Sequence, residues 1–343
     1  MRKRFSSLLQ YVTFLGAGIF LIWWQLKSMT ASEKTTFYTS LSNADYWLMV
    51  PVVFMSLLSH LSRSLRWKLL MEPLHYYPST KNTFASTMVG YLANAAIPRL
   101  GEVLKCSLLA RYEKLKIDKL FGTILLERTF DMLCYLIFIG ITVLIQIDLV
   151  GSYVKEKLEK AGKGALLPVW AKVILFVLFI WLIFKGIKWL SKKFPHNKII
   201  LKVGNFITGI AVGFTTIKNL KKRKMFVAHT LFIWAMYLLQ IYIGFSALDG
   251  TEALSLKAAF SVLSFATLAM IITPGGIGSF PIFVMETLLI YSIASPVGIA
   301  FGWLLWGANT AIVIVAGLLS ILLLPYINKH KHEIHPVHTE ENS

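Results

Sequence analysis

The sequence predicts an all-α, polytopic integral membrane protein with six full spans and two re-entrant hairpins, arranged as an inverted repeat. Three observations predict it. Of 343 residues, 56% are hydrophobic and 15% charged, where a soluble domain carries about 25% charged residues. Lys and Arg gather in alternate connections: eleven fall between Lys185 and Lys224, with no Asp or Glu, while 27–45 and 148–168 are nearly balanced. Two apolar stretches, 83–97 and 257–273, stop at Pro/Gly breaks. They reach only about 22 and 26 Å, short of the ~30 Å hydrocarbon core.

Full spans are predicted at 8–26, 46–67, 119–147, 168–190, 225–247 and 297–324. The opening Met1-Arg2-Lys3-Arg4 and the long apolar run after it predict a retained signal anchor with its amino terminus inside. Every basic cluster then falls on one side, provided that the two short stretches return to the side they left. The first re-enters from inside as 83–97 with 102–112, the second from outside as 257–273 with 281–294. The chain divides into a first membrane repeat (1–147), a second (148–325) and a disordered cytoplasmic tail (326–343). Each repeat has three full crossings, an odd number, so the second is inverted and the hairpin tips meet near the membrane centre. Backbone broken at that depth must be enclosed by protein or line a wet cavity.

The net charge of +18 (35 basic, 17 acidic) follows membrane topology rather than nucleic-acid binding. Cys106 and Cys134 form no CxxC, so neither a disulfide framework nor a thiolate metal site is expected. Segment 199–217 reads as an amphipathic helix lying at the inner interface. The tail holds His330, His332, His335 and His338 without an anchoring fold, and no metal site is expected there. No Walker A, dinucleotide fingerprint or nucleophile elbow occurs, and no cofactor or enzymatic activity is expected. His60 and His229, on separate spans, read as core or interfacial side chains, and Asn309 and Gln240 as partners in helix–helix hydrogen bonds.

The candidate site is charged. Arg99 and Glu102 flank the first break, and Glu127, Arg128 and Asp131 lie within the following span. A lone charge at such depth costs about 2.5–3.5 kcal/mol on insertion scales, so the group implies pairing, water or both. Arg128 is three residues from Asp131, and Arg99 is the natural partner for Glu127. The cluster is either a clamp between hairpin and helix or a seat for an anionic headgroup phosphate, which suits the guanidinium fork. The second break, Pro274-Gly275-Gly276-Ile277-Gly278, is either a simple turn or a presentation of backbone N–H groups to an anion.

At these motifs the chain resembles the flippase-like membrane family named for the transmembrane region of lysylphosphatidylglycerol synthases. The resemblance rests on Asn94…Pro98-Arg99-Leu100-Gly101-Glu102-Val103, on Glu127-Arg128…Asp131, and on Pro274-Gly275-Gly276-Ile277-Gly278, and covers roughly residues 5–325. The family pattern continues the last motif with a Glu that falls at Pro281 here, so no carboxylate role is expected at this tip. The resemblance implies a bacterial or archaeal cell-membrane protein, and the placement of the basic clusters predicts that both termini are cytoplasmic. The implied function is a translocator of lipids or lipid-linked intermediates, with membrane lipids as partners: an anionic or aminoacylated phospholipid, or a polyprenyl-linked intermediate. The site residues expected are Asn94, Pro98, Arg99, Gly101, Glu102, Glu127, Arg128, Asp131, Pro274, Gly275, Gly276 and Gly278. Two other readings stay open: a membrane scaffold docking a soluble enzyme at the basic 191–224 loop, and a membrane-embedded enzyme acting on a lipid headgroup.

Overall fold

In the computed structural model the described residues are Gly16, 18–97, 99–146, Lys185 and 220–329, and every regular element among them is a helix. In chain order these are α1 (18–28), α2 (Ala31–Ser42), α3 (Met49–Met71), α4 (Thr80–Ala96), α5 (Leu100–Glu113), α6 (Ile117–Ile145), α7 (Arg223–Phe245), α8 (Leu256–Ile272), α9 (Ser279–Leu289) and α10 (Ser295–Ile327). Four stretches are long and apolar enough to cross a membrane: Tyr46–Leu74, Ile117–Ile145, Arg223–Phe245 and Ser295–Ile327. They correspond to four of the six expected spans. Of the expected span 8–26, residues 18–26 lie in the helical segment 18–28. The expected span 168–190 (except Lys185), the amphipathic segment 199–217 and the tail from His330 lie outside the described residues.

Local chemistry sets the helix ends. Ser79 accepts the N–H of Asn82 at the start of α4, and Lys114 closes α5 in the left-handed region at φ 55°. The residue before a proline is pushed out of the helical region, and both short helices stop there. Ile97 (φ −135°, ψ 118°) ends α4, and Thr273 (φ −116°, ψ 146°) ends α8. In each case the cap N–H still reaches back four residues, to Ala93 O at 2.7 Å and Ala269 O at 3.0 Å.

The element order of long helix, two short helices, long helix occurs twice. Helices α3, α4, α5 and α6 have 23, 17, 14 and 29 residues. Helices α7, α8, α9 and α10 have 23, 17, 11 and 33.

The chain forms two units. One comprises Met1–Ile124 with Lys224–Ser343, the other Leu125–Arg223, and α6 is continuous through the boundary. Within the first unit, α10 is the spine. From its start, Gly298 lies against Met285 and Gly302 against Pro281 of α9, and Trp306 meets the second break. From its far end, Asn328 bonds Asn82 at the start of α4, Leu324 packs on Ala85 and Val89, and Gly317 lies against Leu92. The two short hairpins thus reach α10 from opposite ends. At ~1.5 Å per residue, Trp306 is about 17 Å and Gly317 about 33 Å along a helix of about 50 Å, so the hairpins converge over its middle third. Apolar burial contributes little to helix association in lipid, and close approach through small residues takes its place.

Besides the Ala85, Val89 and Leu324 cluster, the described residues of the first unit form an apolar nucleus where α3, α5 and the start of α6 meet: Trp67, Met71, Cys106, Leu109, Leu120 and Ile124. The indole of Trp67 donates to Thr123 Oγ1 at 2.9 Å and carries Lys105 Nζ 4.0 Å above its ring.

Three boundaries differ from expectation. The connection 27–45 contains α2, because Thr30 and Glu33 form a capping box that the apolar periodicity does not report. Helix α3 continues past Trp67 to Met71, drawing Lys68 into the helix. Residues 326–328, expected in the disordered tail, are ordered, because Asn82 and Asn328 exchange two amide hydrogen bonds, both 2.8 Å.

Candidate functional site

The first break is built from α4 and α5. Arg99 stands exposed between them at φ 67°, a conformation a side chain rarely adopts. It offers no side-chain cap to α5. Asn94 caps the helix from across the turn instead: its Oδ1 accepts the Gly101 N–H at 2.8 Å, and its Nδ2 donates to Glu102 Oε1 at 3.4 Å. Gly101 is buried, and a Cβ there would collide with the Gly90 carbonyl oxygen and the Asn94 amide. Asn94, Gly101 and Glu102 thus form the hydrogen-bonded, closely packed turn next to Arg99. Pro98 lies outside the described residues.

In the second break, Pro274–Gly276 make one 3-10 turn, followed by Ile277 and Gly278. Gly275, Gly276 and Gly278 have φ of 62°, 70° and 72°, and a side chain at Gly278 would run into the Gly18 carbonyl and Leu21 of α1. Thr273 Oγ1 and Ser279 Oγ lie 2.5 Å apart, and Ser279 also donates to Ala269 O at 3.2 Å. Trp306 Nε1 donates to Gly275 O at 2.8 Å. Pro281 is buried, with the Gly302 backbone so near that a Cβ there would stand 2.6 Å from Pro281 Cα. Pro281 thus packs closely against the α10 backbone at Gly302. Glu286 is exposed.

The two breaks meet. The turn Pro274–Gly276 packs against α4, and a Cβ at Gly275 would touch Ala95 Cα at 3.9 Å. The breaks also match residue for residue: Ile97, Pro98 and Arg99 correspond to Thr273, Pro274 and Gly275, with extended cap, proline and left-handed residue in the same order, Pro98 by identity alone.

Glu127, Arg128 and Asp131 belong to the second unit, on α6. Glu127 is 3% exposed, Asp131 is half-buried, Arg128 is exposed, and all three are engaged with partners. So the first unit holds together Asn94, Arg99, Gly101, Glu102 and the 274–278 turn, while Glu127, Arg128 and Asp131 belong to the other unit.

Sequence reasoning missed the polar face of α3, because Arg63 reads as the inner flank of a span ending at Trp67. Ser56 donates to Asn309 Oδ1 at 2.9 Å, Ser62 lies 2.9 Å from His229 Nδ1, and the His60 and Tyr91 rings meet in a tilted contact at 5.0 Å. Arg66 is fully buried, bonded to Thr230 Oγ1 at 3.3 Å and seated over the Phe226 ring. The signal was present in Ser56-x-x-Ser59-His60-x-Ser62-Arg63-Ser64-x-Arg66, polar residues recurring at helical spacing inside an apolar run.

Residues 8–317 match the family described as the lysylphosphatidylglycerol synthase TM region. The chain belongs to that family and is a multi-pass membrane protein. No curated protein and no solved structure matches it.

Proposed function

We propose that this protein translocates a lipid or lipid-linked intermediate between leaflets, with the headgroup passing the meeting point of the two hairpin breaks while the acyl chains stay in the bilayer. One observation carries the reading: two short helical hairpins reach the middle of α10 from opposite ends and touch there through broken backbone. Helices α4, α8 and α9 span about 26, 26 and 17 Å, too short to cross ~30 Å of hydrocarbon. Re-entry from opposite faces accounts for both their length and their convergence. The family adds lipid as the class of partner.

Arg99 supplies the charge that a phosphate-bearing headgroup needs. It is exposed at the break and held in a backbone conformation that a glycine would adopt at lower cost. Backbone strain kept at one residue points to a role for its side chain. The reading assigns movement of lipid, not its synthesis, to this chain.

The direct test reconstitutes purified protein in vesicles and follows fluorescent phosphatidylglycerol between leaflets. Loss of a charge-assisted hydrogen bond, about 1.5–3 kcal/mol, predicts at least a roughly ten-fold slower movement in Arg99→Ala. Equal rates in wild type and variant would remove Arg99 from the mechanism, and no movement with wild type would remove the reading itself.

A further inference from the structure

We propose that His60 is a phosphate-binding residue at the depth of the hairpin breaks, donating a hydrogen bond from Nδ1 to the phosphate group of the headgroup. The inference rests on the translocator reading and extends it to a helix that contributes no residue to either break.

His60 lies at the centre of α3, eleven residues from Met49 and eleven from Met71. Its ring lies 5.0 Å from that of Tyr91, tilted by 49°, and Tyr91 precedes Asn94 by one turn of α4. One turn away on α3, Ser56 bonds Asn309, and one turn from Asn309 on α10 Trp306 holds the Gly275 carbonyl. His60 is therefore tied by short links to both breaks at once.

The chemistry of this face singles out the ring. The hydroxyl of Ser56 is committed to Asn309, that of Ser59 to Ser56 O, and that of Ser62 to His229. His60 Nδ1 is buried and has no hydrogen-bond partner among the described residues. A buried imidazole nitrogen left without a partner is costly, and it calls for a ligand that supplies one. Arg63, three residues along the same helix and on the same face, carries a fixed positive charge. An imidazole N–H donor near a guanidinium suits an anion with several acceptor oxygens, and a phosphate group has that character.

The test uses the full chain in detergent micelles. Binding of short-chain phosphatidylglycerol, inorganic phosphate and short-chain diacylglycerol is measured calorimetrically for wild type, His60→Phe and His60→Gln. Phe keeps a ring against Tyr91 and removes the nitrogen, whereas Gln keeps an N–H donor. Loss of one hydrogen bond predicts about five-fold weaker phosphatidylglycerol binding in His60→Phe and recovery of most of it in His60→Gln. Should inorganic phosphate show the same dependence, the site takes a free anion as well as a headgroup. Equal binding by wild type and His60→Phe, or equal binding of diacylglycerol by wild type, would overturn the proposal. Should His60→Phe not fold, the wild type decides: with ¹⁵N-labelled histidine, the Nδ1 resonance that His60→Gln removes must shift on adding phosphatidylglycerol, and an unmoved resonance would overturn the proposal. Because binding is read in micelles, a protein that binds through His60 yet moves no lipid in vesicles would sink the translocator reading alone.

Discussion

Arg99 sits at φ 67° where its counterpart in the second break, Gly275, sits at φ 62°. A non-glycine side chain in that region costs about 1–2 kcal/mol. Arg99→Gly relieves that strain but adds chain entropy to the unfolded state, so stability should change by less than about 1 kcal/mol. Lipid movement should nevertheless fall as far as in Arg99→Ala. Thermal melting beside the vesicle assay separates the two effects, and retained movement in the glycine variant would show that the strain serves the turn alone. Gly101 makes the opposite case. It is there because the backbones of α4 and α5 cross at Gly90 and Gly101 with no space for a Cβ. Gly101→Ala must push the hairpin open, and overpacking of this kind costs about 1–3 kcal/mol or more. A lowered melting temperature in detergent is the expected result. At this scale the two Pro/Gly breaks were legible in the sequence, whereas the hydrogen bonds by which Asn94, Gly101 and Glu102 build the turn beside Arg99 are seen only in the folded chain.

The short helices carry the next level. Their ends were legible within a few residues because Pro98 and Pro274 forbid helical backbone just before them. Helix α2 was not, because it has little apolar face and depends on its cap. The Thr30 backbone N–H and then its hydroxyl hydrogen-bond Glu33, at 2.8 and 2.9 Å, and hold that carboxyl below the usual range. A carboxyl lowered in the folded state stabilises above its ordinary value near 4.3 and loses that contribution as pH falls through the lower folded value. Protection of the α2 amides, taken relative to intrinsic exchange, should therefore fall below about pH 4 in wild type and be lower at neutral pH in Thr30→Ala. An α2 whose exchange ignores both changes would show that packing on α10, not the cap, holds it.

For the whole molecule, the arrangement of short helices against α10 sets the expected membrane behaviour. In a background where Cys106 and Cys134 are replaced, Lys114→Cys should react with an impermeant thiol reagent from inside and Glu252→Cys from outside. Arg99→Cys and Ile272→Cys, at the two breaks, should react slowly from either side. Fast labelling of Arg99→Cys from outside would make α4 and α5 complete crossings and remove the re-entrant plan. Among the described residues the order long, short, short, long occurs twice, with 23-residue and 17-residue members in step. The polar face of α3 was not foreseen. Serines and a histidine in an apolar run read as scattered helix–helix contacts until Ser56, Ser62 and Arg66 are seen bonded to three different positions on α7 and α10.

Apolar run length, charge asymmetry and proline positions specify helices, breaks and membrane residence, because each acts within one stretch of chain and needs no distant partner. Which surfaces touch is another matter. Gly317 finding Leu92, Trp306 reaching Gly275 and Asn328 pairing with Asn82 join residues that are hundreds of positions apart or lie on helices whose facing sides no local pattern marks. In lipid the outward and inward faces of a helix are similarly apolar, so hydrophobic periodicity loses the contrast that reveals a buried side in water. Close backbone approach and a few hydrogen bonds choose the partners instead, and only the folded chain displays them.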